Sequence, residues 1–537
     1  MPAVGLKKHI RVFALAAAVC AALVLAAAGC RKGPSAGKSF RFPLQSEPRQ
    51  IDPQVATDPS SIALISSLFE GLARIDETGT AKPAAASWTV SDNGLTYTFT
   101  LKSSKWSDGT EVTADDYVFG IQRAVHPSTK SKNAESLFII KNAREINQGR
   151  LDVSKLGVKA ADSKTLIVTL TQPDSDFPAK TATAPFMPCK KDFFEGTLGR
   201  YGIGAEYVLS NGPFYLKSWE HNKSVLLQKH EGYHDAEKIL PASIRYVIGE
   251  VGDPVASLSE GSLDACPVPA EDLEKAKEKN ITLITRQDTV RMLWMNNDIP
   301  ALSSPHIRRA LRDSIEWDAL YRQLDSKTDI PAAGFVPPDS TAAPSVKYRS
   351  PGNALTPSTQ SQKAAQAILK GLDAAGLEKM PLLTLMCQQD DYSLNIARYI
   401  IQSWQKNLSL YFKLEPLSRS ELEARVKVGN YELALYSFTP SGYGALDVFQ
   451  SFKSGAVGNL SHFSDKGFDS RLASVRPAPS KSDLEALEKM LWDSCPSVPV
   501  SFELTYVGIP KENSGIVVRP FGGGLYGSPY DFRQAAK

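Results

Sequence analysis

Residues 96–118 of this chain read TYTFTLKSSKWSDGTEVTADDYV and contain a strand, a turn and a helix start in close succession. The first six residues alternate between polar and apolar, which predicts a strand with its apolar side chains on one face. The Asp108-Gly109 pair predicts a turn, because glycine accepts the positive φ that many turns need. Thr113 and Asp116 have the spacing of a capping box, which predicts a helix that begins after Thr113.

Similar patterns occur on both sides of this stretch. Residues 40–44 and 165–170 alternate as strands do, and residues 364–372 and 395–407 have the spacing of amphipathic helices. Residues 61–72 also carry apolar side chains at helical spacing. Strands and helices are mixed from end to end and no short repeat is present, so the sequence predicts an α/β protein.

The first thirty residues have the pattern of a lipoprotein signal peptide. A short basic segment precedes an uncharged run over 12–29, which ends at Ala27-Ala28-Gly29-Cys30. Small residues before a cysteine resemble a bacterial lipobox, in which the cysteine is acylated and becomes the mature N-terminus, although Ala27 stands where leucine is usual. An uncleaved membrane anchor is the alternative, because the run is near the shortest length that spans a bilayer. Both interpretations place the rest of the chain outside the cytoplasm.

The charge balance argues against nucleic acid as a partner. The chain has 61 Lys/Arg and 58 Asp/Glu, and residues 1–29 hold three of the basic residues and no acidic residue, so the remainder is neutral. A neutral chain has no general attraction for nucleic acid or for an anionic membrane. The remaining length of about 500 residues is too great for a single hydrophobic core, which predicts two or three lobes.

Four cysteines follow the N-terminal segment, at Cys189, Cys266, Cys387 and Cys495. None is part of a C-x-x-C pair, so the sequence does not predict a zinc site built on cysteine. Outside the cytoplasm four cysteines can form disulfides in three complete pairings. Free buried thiols fit the sequence equally well.

Residues 230–234 read His-Glu-Gly-Tyr-His, which is literally the H-E-x-x-H pattern of zinc peptidases. That chemistry needs both histidines on one face of a helix, with the glutamate beside the metal-bound water. Residues 225–227 predict a strand that runs into the motif, and the glycine within it disfavours a helix. We therefore interpret His230, Glu231 and His234 as part of a surface loop, with a zinc peptidase site as the alternative.

An ordered series of motifs resembles the extracellular solute-binding proteins of family 5, a family of peptide- and nickel-binding proteins. The series runs from about residue 42 to residue 532 and includes Ile51-Asp52-Pro53, Leu68-Phe69-Glu70-Gly71-Leu72, the stretch from Ala86 to Val118, Asn211-Gly212-Pro213-Phe214 and Gly334-Phe335-Val336-Pro337-Pro338. Each motif alone is a weak signal. Their order along the chain carries the resemblance.

The resemblance implies a two-lobed α/β fold of the periplasmic-binding-protein type (type II, cluster C) with an additional subdomain. In such a fold the ligand bridges both lobes and shifts an equilibrium between open and closed forms. The implied segments are a lipoprotein signal peptide at 1–29, a tether at 30–39, the first lobe at 40–58, 186–285 and 501–537, the additional subdomain at 59–185, and the second lobe at 286–500.

The resemblance also implies how a ligand is held. Peptide binders of this family contact an extended ligand through main-chain hydrogen bonds, and many pair its amino group with an aspartate. This chain has Ser441 at the aligned position, Leu435 where an arginine is common, and Asp447 as another anion close in sequence. We expect a peptide ligand, with an N-blocked peptide, an apolar solute or a non-peptide solute as the alternatives.

The residues predicted to contact the ligand lie on the first strand, near the expected crossing between the lobes, and after a late strand. They are Ser46, Glu47, Asn296, Asn297, Phe438, Thr439, Ser441 and Tyr443. Structural roles are the alternatives: Glu47 as an exposed turn residue, Asn296 as a staple on a crossing strand, and Phe438 as a core residue.

The resemblance thus implies a binding protein that delivers peptides to the permease of an ABC importer. A lipid on Cys30 would anchor it to the outer side of the cell membrane. No catalytic residue, metal or cofactor is predicted, and the protein is expected to be a monomer that binds no nucleic acid. The alternatives are a solute sensor without transport and the zinc peptidase.

Overall fold

The computed structural model describes residues 37–76, 80–343, 346–440, 442–456, 458–475, 479–513, 516–519 and 521, with the main chain of 530–531. The predicted signal peptide, Cys30, most of the 30–39 tether and the candidate contact Ser441 lie outside these residues. Among the described helices, none has both the length and the apolar composition needed to cross a membrane.

Strands occur throughout the described chain and range from two to fifteen residues. In chain order they are β1 (Ser39–Leu44), β2 (Ala73–Ile75), β3 (Ala81–Pro83), β4 (Ala86–Val90), β5 (Thr96–Leu101), β6 (Val158–Asp162), β7 (Thr165–Thr169), β8 (Phe214–Glu220), β9 (Ser224–Lys229), β10 (Ser243–Ile248), β11 (Cys266–Pro267), β12 (Ile281–Met295), β13 (Asp329–Pro331), β14 (Thr341–Ala343), β15 (Val346–Lys347), β16 (Leu383–Gln388), β17 (Phe412–Leu417), β18 (Leu433–Phe438), β19 (Ser497–Pro510), β20 (Val517–Val518) and β21 (Tyr530–Asp531).

Helices alternate with these strands along the chain. In chain order they are α1 (Pro59–Leu68), α2 (Ala114–Val125), α3 (Ala143–Asn147), α4 (Phe177–Lys180), α5 (Lys191–Gly196), α6 (Pro254–Ser259), α7 (Leu273–Glu278), α8 (Pro300–Ser303), α9 (Pro305–Asp313), α10 (Trp317–Tyr321), α11 (Ser361–Ala375), α12 (Asp391–Leu408), α13 (Arg419–Lys427), α14 (Ala445–Gln450), α15 (Lys466–Ser474) and α16 (Lys481–Ser494).

Two four-stranded sheets in the first half of the chain share one hydrophobic core. The first has the order β1-β10-β9-β8, with β1 at its edge and parallel to β10. The second has the order β4-β5-β7-β6 and is antiparallel throughout. Phe42 and Phe214 from the first sheet and Phe99 from the second are fully buried in this core, so the two sheets form one packed body.

A seven-stranded sheet forms the centre of the second lobe. Its order is β11-β19-β12-β18-β16-β17, and β13 also pairs with β19. Apolar side chains cover both faces: one core contains Trp294 and Phe452, and the other contains Trp317 and Trp404. A sheet covered on both faces is held rigidly, which suits it to present residues at its ends.

Two long antiparallel strands, β12 and β19, join the lobes, and we call them the crossing strands. Their register shifts between Arg286 and Thr289. On one side of the shift Ile509 packs in the first-lobe core, and on the other side Phe502 packs in the second-lobe core. Because an irregular step lets a strand pair bend, we use the name hinge for the 287–288 step, where the paired strands pass from one core to the other.

The strand, turn and helix predicted within residues 96–118 are confirmed. The strand is β5 and the helix is α2, whose Thr113 main-chain N–H donates to Asp116 Oδ2 over 2.8 Å. The strand predicted over 165–170 is β7, which pairs with β5. The helices predicted over 364–372 and 395–407 lie within α11 and α12.

The helix predicted over residues 61–72 is shorter than expected. Helix α1 ends at Leu68, because Phe69 adopts an extended conformation. The following chain packs closely against another segment: a Cβ on Gly71 would lie 2.2 Å from the carbonyl oxygen of Thr181. The apolar residues after Leu68 are therefore buried by this contact and not by a further helical turn.

Candidate functional site

The C-terminal half of β18 has one edge that no strand of the described chain covers. Strand β18 pairs with β12 over its full length, but its pairing with β16 ends at Ala434. The main-chain N–H of Asn296 donates to the carbonyl of Glu432, the residue opposite it. In an antiparallel pair only every second residue bonds to the partner strand, so the even-numbered residues of β18 bond to β12 and the odd-numbered residues do not. The main-chain groups of Ser437 therefore point away from β12, toward the open edge.

The candidate contacts Phe438 and Thr439 lie at the end of this edge. Thr439 is exposed, and its hydroxyl is 2.8 Å from the hydroxyl of Thr289 on a crossing strand. Phe438 is half-buried, and its ring packs edge-on against Trp294 with centroids 5.8 Å apart. Both residues therefore stand where the second-lobe sheet meets the hinge.

Tyr443 lies where the two halves of the chain touch. It is 5% exposed and forms a small apolar cluster with Ile75, Ala182 and Phe521, which we call the bridging cluster. The rings of Tyr443 and Phe521 meet edge-on at 5.7 Å. Because Ile75 and Ala182 precede the crossing strands in the chain and Tyr443 follows β18, this cluster connects the first half to the second lobe.

Ser46 and Glu47 lie just after β1, the edge strand of the first lobe. The Ser46 hydroxyl is 3.1 Å from that of Ser60. Glu47 is an anchoring residue: its carboxylate accepts hydrogen bonds from Trp219 Nε1 at 2.9 Å and from the main-chain N–H of Asn222 at 2.8 Å, and it lies 2.7 Å from His221 Nδ1. Within the described residues, no hydrogen bond joins Ser46 or Glu47 to the end of β18.

The placement of Asn296 and Asn297 near the lobe crossing is wrong. Both follow the C-terminal end of β12, at the end of the second-lobe sheet that lies farthest from the hinge. Asn296 Nδ2 donates to the carbonyls of Gly429 and Tyr431, and Asn297 Nδ2 donates to that of Met295 at 2.7 Å. Their amides staple the end of the strand, because buried polar groups must find hydrogen-bond partners.

The H-E-x-x-H motif forms a turn after β9 and not a helix. The expected loop is confirmed and Glu231 is exposed, but the two histidines do not lie on the surface: His230 is 7% exposed and the His234 side chain is 4% exposed. His230 Nδ1 faces the carbonyl of Gly212 at 3.1 Å, whereas His234 Nε2 faces Glu70 Oε2 at 2.6 Å. The two rings thus have separate partners, and no group of three or more potential metal ligands occurs in the described chain.

Asp447 is committed to its own loop. Its Oδ2 accepts a hydrogen bond from the main-chain N–H of Gly444 over 3.0 Å, at the start of α14. A Cβ on Gly442 would lie 2.2 Å from the same oxygen, so the carboxylate fills the inside of the turn. Asp447 therefore caps a helix and is poorly placed to meet a ligand.

A polar group that the sequence did not predict lies at the hinge end of the second-lobe sheet. Arg291 on β12 lies 3.4 Å from Asp329 Oδ1 on β13 and 2.7 Å from a carboxylate oxygen of Glu503 on β19. The signal was present: Glu503 is the one charged residue in the fourteen residues of β19. A charge within an otherwise apolar strand points to a specific partner, because burying it alone is costly.

A separate cavity of about 630 Å³ lies beside α2 and α5, away from these strands. It contains the buried Arg123–Asp52 pair, whose Nη2 and Oδ2 are 2.8 Å apart. The Arg123 guanidinium also stacks 3.8 Å from the ring of Phe194. The buried charges there are matched to each other, so the pair supports the fold and leaves no charge for a ligand.

The four cysteines are free thiols, and all four are buried. Burial raises the pKa of Cys189 and of Cys387 to about 11 and that of Cys266 to about 12. Protonated thiols that solvent does not reach are unreactive. Of the two possibilities left open by the sequence, free thiols are the one observed.

Comparison with known proteins identifies the relatives of this chain. The sequence profile described as "Bacterial extracellular solute-binding proteins, family 5 Middle" matches residues 81–459. The oligopeptide-binding protein OppA of Bacillus subtilis (strain 168) is 27% identical, and the alignment covers 92% of this chain and 93% of that protein. A probable deoxycholate-binding periplasmic protein of Escherichia coli (strain K12) is 28% identical, with 86% and 88% covered.

A solved structure of Listeria monocytogenes OppA bound to peptide has the same fold. It superposes with a TM-score of 0.73 at 22% identity and covers 93% of this chain and 99% of that one. The likeness extends over nearly the whole chain, so the expected two-lobed α/β architecture is confirmed.

Proposed function

Because the chain belongs to the bacterial extracellular solute-binding proteins of family 5, we propose that it binds an extended peptide between its two lobes and delivers it to an ABC importer. The open edge of β18 is the observation that carries this proposal. An extended peptide that adds to a strand edge is held by its main chain, which every sequence shares. The relatives named for oligopeptide binding support the same ligand class.

The energetics of strand addition favour broad specificity. Each main-chain hydrogen bond contributes about 0.5–1.5 kcal/mol net, so two or three bonds at the Ser437 edge give a base affinity for many peptides. Phe438 and Thr439 at the end of the edge and Tyr443 beside it supply contacts for ligand side chains in this proposal. Ser441, two residues after Thr439 in the sequence, remains a candidate contact. Ser46 and Glu47 remain candidates on the first-lobe side.

The hinge supplies the response to ligand. A ligand that touches both lobes stabilises the closed form by its extra contacts, and the 287–288 step accommodates the movement. In this proposal the first lobe comprises 40–58, 186–285 and 501–537, the additional subdomain 59–185, and the second lobe 286–500. The permease of the importer then recognises the closed form of a monomer.

We further propose that Cys30 carries the lipid that holds the protein at the outer side of the membrane. The family description is extracellular, which agrees with removal of residues 1–29 as a signal peptide. The test is the mass of the mature N-terminus from membranes of an expressing cell. A Cys30→Ser variant should lose the acyl mass and appear in the soluble fraction, and an unchanged mass would contradict the anchor.

Native mass spectrometry of protein purified without refolding tests the peptide proposal. The expected result is a ladder of co-purified masses that fragment as peptides, since main-chain recognition accepts many sequences. Release of these peptides and titration of one of them, in native and N-methylated form, tests strand addition. Removing one outward main-chain N–H of the ligand should weaken binding about tenfold, because a buried acceptor is left without a partner.

A non-peptide solute bound by the same fold is the second candidate. The bridging cluster around Tyr443 and Phe521 is apolar, and one relative is described as a probable deoxycholate-binding protein. A single co-purified mass that does not fragment as a peptide would favour this candidate and contradict peptide binding.

A further inference from the structure

The polar group at the hinge end of the second-lobe sheet has a definite arrangement, and we call it the Arg291 cluster. It comprises Arg291, Asp329, Ser437, Ser501 and Glu503. In the sheet Arg291 stands directly between Ser437 on β18 and Ser501 on β19, and Glu503 stands directly beside Asp329 on β13. Side chains at paired positions share one face of the sheet, so all five project to the same side.

The Arg291 cluster carries an unbalanced negative charge. It has two carboxylates, on Asp329 and Glu503, and one guanidinium. The neighbouring Arg286 adds no free positive charge, because both its Nε and its Nη2 donate to Asp288. Burying an unmatched charge is costly, so a cation that docks here is strongly favoured.

Each carboxylate has one oxygen with no well-formed hydrogen bond among the described residues. Asp329 is fully buried, and its Oδ2 has no hydrogen-bond partner among the described residues, although the Tyr392 hydroxyl lies near this carboxylate. Glu503 Oε1 accepts from the Ser437 hydroxyl and meets Arg291 Nη2, whereas Glu503 Oε2 has no such partner in the described chain. Glu503 is 21% exposed, so a ligand reaches this oxygen first.

The cluster lies beside the open strand edge. The Glu503 side chain reaches over β12 to Ser437, the residue whose main-chain groups face that edge. The Thr289–Thr439 hydroxyl pair lies in the adjacent row of the same face, since Thr289 pairs directly with Glu503. A peptide that adds to β18 and ends near Ser437 therefore brings its terminus to the Glu503 carboxylate.

We propose that Glu503 binds the free α-ammonium group of the peptide ligand, with the Arg291 cluster holding the carboxylate in place. The inference rests on the proposed function and specifies its ligand class as peptides with an unblocked N-terminus. The α-ammonium group is the cation that every such peptide carries, whatever its side chains, so it suits a site of broad specificity. The N-blocked ligand that the sequence allowed would leave the excess charge unmatched.

The test compares free and N-acetylated peptides. A pool of synthetic tri- to pentapeptides, offered in both forms to the wild-type protein, identifies a binder by native mass spectrometry, and calorimetry then measures both forms of it. Acetylation should weaken wild-type binding about ten- to a hundredfold, the usual contribution of a charge-assisted hydrogen bond. In Glu503→Gln the affinity for the free peptide should fall by a similar factor, whereas the affinity for the acetylated peptide should change little. The ratio of the two dissociation constants, acetylated over free, should therefore approach one.

Two further variants separate binding from structure. Glu423→Gln removes an equal charge from an exposed pair with Lys427 in the same lobe and should keep the wild-type ratio. Glu503→Asp keeps the charge and should keep a preference for the free amine even if Glu503→Gln folds poorly. A wild-type ratio near one, or an unchanged ratio in Glu503→Gln, overturns the inference while peptide binding stands. Failure of both forms to bind overturns the proposed function as well.

Discussion

Glu488 on α16 shows how a single buried residue holds a loop. Its carboxylate accepts from the main-chain N–H groups of Phe335 and Val336, from the Tyr348 hydroxyl and from Arg349. Gly334 is required beside it, because its φ is +134° and a Cβ would lie 2.4 Å from Glu488 Oε1. The motif at 334–338 is thus explained by a partner about 150 residues away.

Replacing Glu488 should destabilise the protein. In Glu488→Gln the Arg349 guanidinium, which is 9% exposed, loses its counter-charge. We expect a loss of about 3 kcal/mol in the free energy of unfolding, measured by urea denaturation. Lys489→Gln, the exposed neighbour that pairs with Asp493, is the matched control and should change stability by less than about 0.5 kcal/mol. Equal effects of the two variants would contradict the structural role of Glu488.

His230 should make stability sensitive to acid. Burial lowers its pKa, although hydrogen bonds to the Gly212 and Trp106 carbonyls oppose the shift. The unfolded chain therefore takes up a proton at His230 as the pH falls through about 6.5, before the folded chain does. Stability from this group is present above that pH and is lost below it, because the unfolded state then binds more protons.

The measurement is urea unfolding at pH 7.5 and pH 5.5. The wild type should lose more stability between these values than His230→Asn, which cannot titrate. Glu237→Gln removes an exposed carboxylate that does not act on the His230 pKa, and it should keep the wild-type pH dependence. A steeper pH dependence in His230→Asn than in the wild type would reverse the sign and contradict the burial argument.

Helix α2 shows how an element depends on its first turn. Asp116 accepts from the main-chain N–H of Thr113 and from Trp106 Nε1, at 2.8 and 3.1 Å, so it caps the helix and fixes the preceding turn. Asp116→Ala should lower the free energy of unfolding by about 2 kcal/mol. Asp115→Ala, the exposed residue before it, should cost less than about 1 kcal/mol. Thermal unfolding followed by circular dichroism compares them, and similar losses would show that the cap contributes little.

Elements with clear periodicity could be predicted from sequence, and the rest could not for a physical reason. Strand β5 and helices α2 and α12 each have one polar and one apolar face, so their patterns are explicit. The crossing strand β12 has buried residues on both faces beyond its register shift, so no alternation marks it. Its length and its hinge become visible only through pairing with β19, which lies about 200 residues later.

The candidate site also has residues that the sequence could name and residues that only the folded sheet brings together. Phe438, Thr439 and Tyr443 could be named as candidate contacts from the sequence, because they lie at the end of the recognisable strand β18 or soon after it, and they stay predictions. The Arg291 cluster was not found, because its members come from four strands between residues 291 and 503 and only the folded sheet joins them. The Asn296 and Asn297 amides were misplaced, because sequence does not tell at which end of a crossing strand the lobes separate.

At the scale of the whole molecule, the bridging cluster links the first half of the chain to the second lobe. Tyr443→Ala removes its largest side chain and should shift the ligand-free protein toward open forms. We expect a larger radius of gyration by small-angle X-ray scattering and a weaker affinity for peptide, since ligand must then supply more of the closing energy. Tyr411→Ala, which removes a 67% exposed ring, should leave both unchanged. An unchanged radius in Tyr443→Ala would assign the cluster a purely local role.

The four buried thiols provide a built-in record of local opening. Cys189 contacts Arg123, Cys266 lies in the small core that contains Ile281, and Cys387 and Cys495 share the core around Trp404. A thiol reagent can modify each cysteine only when the structure around that cysteine opens. The four modification rates therefore report local opening in different cores of the same molecule. Slower labelling of some thiols on addition of peptide would show which core the ligand stabilises, with no engineered cysteine in the protein.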